Sequence, residues 1–266
     1  MKKWTNAIWA IVLIFLGIST VNAQKIVMLD NYFNHEFRKK ADGTLEPFHY
    51  LWADTAQSGF SKWGKVFQTS GFKTSQLPAA PTALNLKSAD VYIIVDSDTD
   101  RETASPNYIS STDIKNIAAW VKKGGVLVVL GNDSLNAEQM HVNDLLRVFG
   151  IQFNADSKNP VLNDEFDMAA VYPGANHPVF KKSKKLYLKE VSSLTLTKPA
   201  KPFLQHQQDN YVIGACSQFG KGTVIVVGDP WLYNEYVNGK LPDTFNNDIA
   251  LIEFTDWLGR LAKHKK

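Results

Sequence analysis

"GVLVVLGND" (residues 125–133) decides the fold class. From Val126 to Leu130 every residue is apolar, and the run stops at Gly131, Asn132 and Asp133. A strand with one face in water alternates apolar and polar residues. An unbroken apolar run bounded by turn formers suits a strand covered on both faces, as in a parallel α/β sheet. Three further runs have the same character: "KIVMLD" (25–30), "DVYIIVD" (90–96) and "GTVIVVGD" (222–229).

Helical periods lie between and beyond these runs. "STDIKNIAAWVKKGG" (111–125) has a Ser/Thr start, apolar Ile114, Ile117, Ala118 and Val121, lysines in its last turn and a glycine stop. "SGFSKWGKVFQTSG" (58–71), "MHVNDLLRVFG" (140–150) and "NNDIALIEFTDWLGRLAKH" (246–264) read as further helices. Phe60, Trp63, Val66 and Phe67 share one helical face, which makes them core. Residues 151–218 are less regular, with antiparallel strands expected near 185–197 and 210–217. "GKG" (220–222) is a hairpin turn and lacks the spacing of a phosphate loop. The reading is a single α/β domain over 24–266 with a mainly parallel sheet.

The first 23 residues have Lys2 and Lys3, an apolar run from Ala7 to Ile18, and small residues up to Ala23. That is a secretory signal, and the apolar run is short for a spanning helix. The expectation is an exported chain with no membrane span after cleavage, in the periplasm before the exterior. Without Lys2 and Lys3 the 29 basic residues become 27 against 26 acids. Only "KKSKK" (181–185) is densely basic, and it reads as a solvated turn, so nucleic acid is a poor partner. Cys216 is the only cysteine, so no disulfide supports the fold. Within "VIGACSQFG" (212–220) it reads as a small structural hydrophobe.

Each of the four apolar strands closes on an aspartate: Asp30, Asp96, Asp133 and Asp229. In a parallel sheet their carboxyl ends share one rim, where open α/β folds bind ligands. The rim would carry Asn31, Tyr32, Asn34, His35 and Glu36 from the first segment, and Asn132 from the third. Trp231, Tyr233, Asn234 and Glu235 come from the last. "PFHYLW" (47–52) adds His49, Tyr50 and Trp52, and His141 stands at a helix start. Asp and Asn also follow strands simply because they favour turns. Trp231 can be a stacking face or a core plug. Three histidines near one rim could hold a divalent metal, yet no His-x-x-x-His pair fixes two ligands on one element. No cofactor is expected. His177, His206 and His264 read as ordinary hydrogen-bonding residues.

At "LDNYFNHE", "FHYLW", "ADVYIIVDSDT", "GGVLVVLGND" and "GKGTVIVVGDPWLYNEY" the chain resembles the glutamine-amidotransferase-like domain of Bacteroidetes polysaccharide-degradation systems. That domain accompanies, or is fused behind, unsaturated rhamnogalacturonyl hydrolases of glycoside hydrolase family 105. The resemblance implies a flavodoxin-like three-layer sandwich and work on uronic-acid-containing polysaccharide such as pectin or ulvan. It transfers no catalytic residues. True class I glutamine amidotransferases place a nucleophilic cysteine at the turn after the central strand, whereas "GNDSLN" (131–136) has none. Amidotransferase chemistry is excluded, and Ser134 lacks the G-x-S-x-G spacing of a hydrolase elbow.

The activity expected from the resemblance is a lyase, specifically a dehydratase acting on the non-reducing-end uronic acid of an oligosaccharide. Its unsaturated product would feed family-105 hydrolases. Removing the proton alpha to a carboxylate needs a base, and the departing hydroxyl needs an acid. His35, His49, His141, Tyr32 and Tyr233 are the candidates, with His35 and Tyr233 the first pair. Asp30, Asn31, Asn34, Glu36, Tyr50, Trp52, Asp96, Asn132, Asp133, Asp229, Trp231, Asn234 and Glu235 would bind substrate. The alternative is a non-catalytic carbohydrate-binding module in which Trp52 and Trp231 matter most.

Overall fold

The computed structural model describes residues 24–55 and 58–262. The export signal expected over 1–23 and the tail histidine lie outside the described residues. In chain order the first elements are β1 Lys25–Asp30, β2 Glu36–Lys39, β3 Leu45–Phe48, α1 Ser61–Thr69, β4 Phe72–Leu77 and β5 Val91–Val95. Then come α2 Ser111–Lys122, β6 Val126–Leu130, α3 Met140–Arg147, β7 Ile151–Phe153, β8 Ala170–Val171 and β9 Leu186–Tyr187. The chain closes with β10 Leu194–Leu196, β11 Lys201–Gln205, β12 Val212–Phe219, β13 Gly222–Val227 and α4 Asn247–Leu261.

The main sheet runs β4-β1-β5-β6-β13-β12-β10-β7, with β11 also paired to β12. Its first five strands are parallel, and β12, β10 and β7 extend it antiparallel. Side-chain alternation divides the strands between two layers. Val27, Leu29, Ile93, Val128 and Ile225 pack with Trp63 and Phe67 of α1 and Phe254 and Leu258 of α4. Tyr92, Ile94, Leu127 and Val129 pack with Ile117 and Trp120 of α2 and Leu145 of α3. Helices thus cover both faces, which is why the four strands read as continuous apolar runs.

Local chemistry sets the element ends. Ser110 and Asp113 form a reciprocal capping box at the start of α2, and Gly124 turns the chain out with φ +116°. At Gly131 a Cβ would stand 2.5 Å from Phe153 Cε1, so only glycine lets that ring close over the end of β6. The "KKSKK" turn is tied down. Glu253 of α4 accepts from the amides of Lys181, Lys182 and Ser183 at 2.8, 2.8 and 3.1 Å, and from Ser183 Oγ at 2.7 Å.

The order of connections fixes one crevice. From β1 the chain passes through α1 to β4 on one side, then returns across β1 to β5 on the other. The connections therefore diverge between β1 and β5, the switch point where open α/β sheets leave room at the carboxyl edge. The small β2–β3 sheet, inserted between β1 and α1, stands beside that crevice and is separate from the main sheet.

Candidate functional site

The four strand-end aspartates do not share one role. Asp30 Oδ1 accepts from the amides of Tyr32 at 3.0 Å and Phe33 at 2.7 Å. Asp133 Oδ1 accepts from Leu135 and Asn136 amides at 3.1 Å each, and Asp229 accepts from the Trp231 amide. These three carboxylates cap the turns that follow their strands, the ordinary use of aspartate there. Asp96 is different. Its φ is +45°, which ends the strand alternation that would have placed it with Tyr92 and Ile94. Its Oδ2 instead accepts from the phenol of Tyr50 at 2.8 Å, a residue packed in the opposite layer.

Around Asp96 the polar groups are dense. Asn34 donates its amide to the Asp96 carbonyl at 2.6 Å. Asp98 Oδ2 accepts from the His35 amide at 2.9 Å and from Thr103 Oγ1 at 2.8 Å. His49 Nδ1 lies 2.6 Å from Glu36 Oε1. These two residues flank the β2–β3 hairpin: Glu36 opens it, pairing with Phe48, and His49 follows Phe48 directly. His49 and Tyr50 are both left-handed, with φ of +69° and +46°. Such conformations cost roughly 1–3 kcal/mol apiece in non-glycine residues and gather at functional sites.

Burial sets the charges. Desolvation pushes the Asp96 carboxyl up to about 8 despite the Tyr50 hydrogen bond, and Asp98 up to about 6. Burial also lifts Asp30 to about 7, against the hydrogen bonds from Tyr92 and the turn amides. For His49 burial opposes the charged ring, but the hydrogen bond and charge of Glu36, with Asp96 and Glu102, outweigh it and raise its pKa. Asp96 Oδ1, Asp98 Oδ1, Ser97 Oγ and Asn34 Oδ1 are buried without partners among the described residues. The turn after β13 has a similar group in Asp229 Oδ2, Trp231 Nε1, Tyr233 Oη and Asn234 Nδ2, so it is the nearby His49–Glu36 pair and left-handed backbone that single out the Asp96 region. Of the groups around Asp96, Asn34 also lines a cavity of about 290 Å³, together with His35, Glu36, Phe37, Phe48 and Leu51, while Asp96, Asp98 and His49 lie behind its lining.

Other expected site residues fall elsewhere. Tyr233 is stacked on Trp63 at 4.4 Å and packed on Phe254 inside the α1–α4 layer, and none of its ring contacts is with His35 or the hairpin. Burial drives its phenol well above the ordinary range. Tyr32 packs edge-on to Phe33 against the α2–α3 layer. Trp52 is a structural ring: Nε1 donates to the Ser75 carbonyl at 2.9 Å, and its faces meet Phe60, Trp63 and Phe67. Trp231 is covered by Lys189 Nζ, 4.2 Å from its centroid. Trp52 is thus committed to the α1 core, whereas Trp231 stays half-buried. Asn132 and Asn234 are buried in their own turns, Asn132 Oδ1 accepting from the Asp133 amide at 2.9 Å, and Glu235 enters the turn 235–238. Asn31 stays with the first cavity.

His141 has its own partners, its Nδ1 3.1 Å from Glu138 and its ring stacked on Tyr108 at 4.5 Å. His177 is structural, its Nδ1 accepting from the Phe180 amide at 2.9 Å and Nε2 donating to the Phe203 carbonyl at 2.6 Å. Cys216 lies within β12, half-buried, and burial raises its thiol. Among the described residues no three His, Cys, Asp or Glu side chains stand close enough to hold a metal ion. No described helix is long and apolar enough to cross a membrane. Asp98 and Thr103 are site residues that the sequence reading did not select. The signal for Asp98 lay in the crowded acids of "DSDTDRE" (96–102).

No curated protein matches the chain. Among solved structures it is similar to the mmIFT52 N-terminal domain, with 16% identity and TM-score 0.61 over 88% of this chain and 97% of that one. The cytoplasmic protein STM1381 from Salmonella typhimurium LT2 is similar at 14% identity and TM-score 0.54, covering 91% and 100% of the two chains. A cold-adapted β-galactosidase from Rahnella sp. R3 is similar at 12% identity and TM-score 0.53, over 90% of this chain but 31% of that one. These likenesses show a shared α/β fold. With a family model matching residues 53–238, from just after the hairpin to the turn beyond β13, the chain belongs to the family described as Domain of unknown function (DUF4350).

Proposed function

We propose that the chain is an exported carbohydrate-active lyase, a dehydratase that eliminates water across C4 and C5 of a non-reducing-end uronic acid. Its substrate would be an oligosaccharide of ulvan or pectin type, and its product the 4,5-unsaturated uronyl end that family-105 hydrolases consume. The observation that carries this reading is geometric: a histidine–glutamate pair and a buried aspartate, joined through Tyr50, stand at the β1/β5 switch point. His49 is backed by Glu36 at 2.6 Å, and Asp96 stays protonated up to about pH 8. Tyr50 connects them, next to His49 in the chain and hydrogen-bonded to Asp96.

In this reading neutral His49 takes the C5 proton, and Glu36 stabilises the imidazolium that forms. The C5–H electron pair becomes the C4–C5 double bond. The C4–O bond breaks, and Asp96 gives its proton to the departing oxygen, which leaves as water. The enzyme is left with protonated His49 and ionised Asp96, and proton return from His49 to Asp96 resets it. The acid is lost above about pH 8, where Asp96 ionises.

The test is incubation of the mature protein with oligosaccharides ending in saturated glucuronic or iduronic acid, following ultraviolet absorbance and product mass. Loss of one water without chain cleavage supports a dehydratase. Absorbance with cleavage means a conventional lyase. His49→Gln and Asp96→Asn should abolish turnover while binding stays within about tenfold. Binding without turnover in the unaltered protein would instead favour the non-catalytic module.

A further inference from the structure

A second cavity, of about 380 Å³, lies where the chain leaves the Asp96–Asp98 segment at Thr99. Thr99, Asp100, Arg101, Tyr108, Glu138 and Gln139 line it, and it shares no lining residue with the hairpin cleft. The Asp96–Asp98 segment runs directly into Thr99 and is tied to this cavity by the Glu138 amide, which donates to the Ser97 carbonyl at 2.8 Å.

Arg101 is the unusual group there. Acids surround it in sequence, yet among the described residues no carboxylate lies within 4.0 Å of it. Its one hydrogen bond runs from Nη2 to the Leu135 carbonyl, which leaves most of its five donors uncommitted. The neighbouring carboxylates are already engaged. Glu102 accepts from Thr99 N and Oγ1 at 2.9 and 2.8 Å. Glu138 caps α3 through the amides of His141 and Val142 and faces His141 Nδ1. Asp100 and Arg101 are both exposed to solvent, so the repulsion of the one and the attraction of the other are screened alike and Arg101 acts chiefly through its hydrogen-bonding fork.

Two further features narrow the ligand class. Gln139 is more than nine-tenths buried. Its Nε2 donates to the Asn132 carbonyl at 2.7 Å, while Oε1 is without a partner among the described residues and can accept from a hydroxyl. Tyr108 is 41% exposed and held flat against His141, 12° from parallel. A guanidinium fork, a free acceptor and a presented aromatic face together suit a hydroxylated ring bearing a carboxylate. A simple anion would use only the first, and a neutral sugar only the other two.

We propose that this cavity is a separate carboxylate-reading subsite, in which Arg101 holds an internal uronate of the oligosaccharide whose terminal unit occupies the hairpin cleft. The inference rests on the uronic-acid reading of the first site but is testable without it. The probe is a trisaccharide with one internal glucuronate and a neutral non-reducing end, which offers the dehydratase nothing to eliminate. Its affinity for the mature protein is compared by calorimetry with that of the carboxyl-reduced trisaccharide.

The acid should bind at least about tenfold more tightly than its reduced form, as expected for a charge-assisted hydrogen-bond pair. Arg101→Gln should erase the difference, and Arg101→Lys should keep part of it, with folding checked by circular dichroism. Equal binding of the two probes overturns the proposal. So does a preference that survives in Arg101→Gln. Absence of turnover on terminal-uronate substrates, with the Arg101-dependent preference intact, would sink only the dehydratase reading.

Discussion

Tyr50 donates its phenol hydrogen to Asp96 Oδ2 at 2.8 Å across 46 residues of sequence, joining the segment behind the hairpin to the end of β5. Both residues are buried, and both have positive φ. The contact matters most when Asp96 is charged, because an ionised buried carboxylate that loses its donor pays a larger desolvation penalty than a neutral one. Tyr50→Phe should therefore cost about 1–3 kcal/mol of stability, with the greater loss at pH 9 than at pH 6. Urea unfolding at the two pH values checks this, and an equal loss at both would contradict it.

Asp96 also imposes a pH dependence on the whole fold. Its folded value of about 8 lies above that of an exposed aspartate, so the folded state holds a proton that the unfolded state has lost. Stability falls as pH rises from about 4 to about 8, by on the order of 1 kcal/mol per unit at most, and levels off above. Asp30, at about 7, and Asp98, at about 6, add falls that end earlier. Asp96→Asn should flatten the upper part of this curve, seen as Tm against pH between 6 and 8.

Glu36 should control the protonation of His49. With Glu36→Gln, burial is opposed by less charge, and the His49 pKa should drop. A proton NMR titration of the His49 ring reads this directly. The native pair contributes stability fully below the unfolded histidine value, lost as pH rises through the folded one. The variant should thus be weaker by up to about 1 kcal/mol at pH 6, with little change at pH 9.

Tyr233 should behave as core. Its hydroxyl is buried without a partner among the described residues, so Tyr233→Phe should leave stability unchanged or raise it by about 1 kcal/mol. Turnover, if present, should stay within twofold. Trp63→Ala, which removes the ring beneath it, should cost about 3–5 kcal/mol. A large loss of turnover in Tyr233→Phe with stability intact would return Tyr233 to the site.

The parallel core was legible because β1, β5, β6 and β13 are buried on both faces, and burial on both faces writes a continuous apolar run. Strand β4 was not, since "FKTSQL" (72–77) has four polar residues between its two buried ends. The β2–β3 hairpin was equally hidden, half of its strand residues being charged and none of them fully buried. At the site, the rim was readable from the aspartate endings, but the division of labour among them was not. Capping is a local event that any strand-end aspartate can perform. Asp96 escapes it through a backbone angle and a partner 46 residues away, and neither has a sequence signal.

The hairpin that brings Glu36 to His49 takes no part in the hydrogen-bond ladder of the main sheet. The scaffold and the chemistry proposed for it are accordingly separable by engineering. Exchanging residues 36–48 for a short turn should leave a folded α/β protein stripped of the pair. Grafting other hairpins at the same place offers a way to install different proton-handling groups over an unchanged switch point.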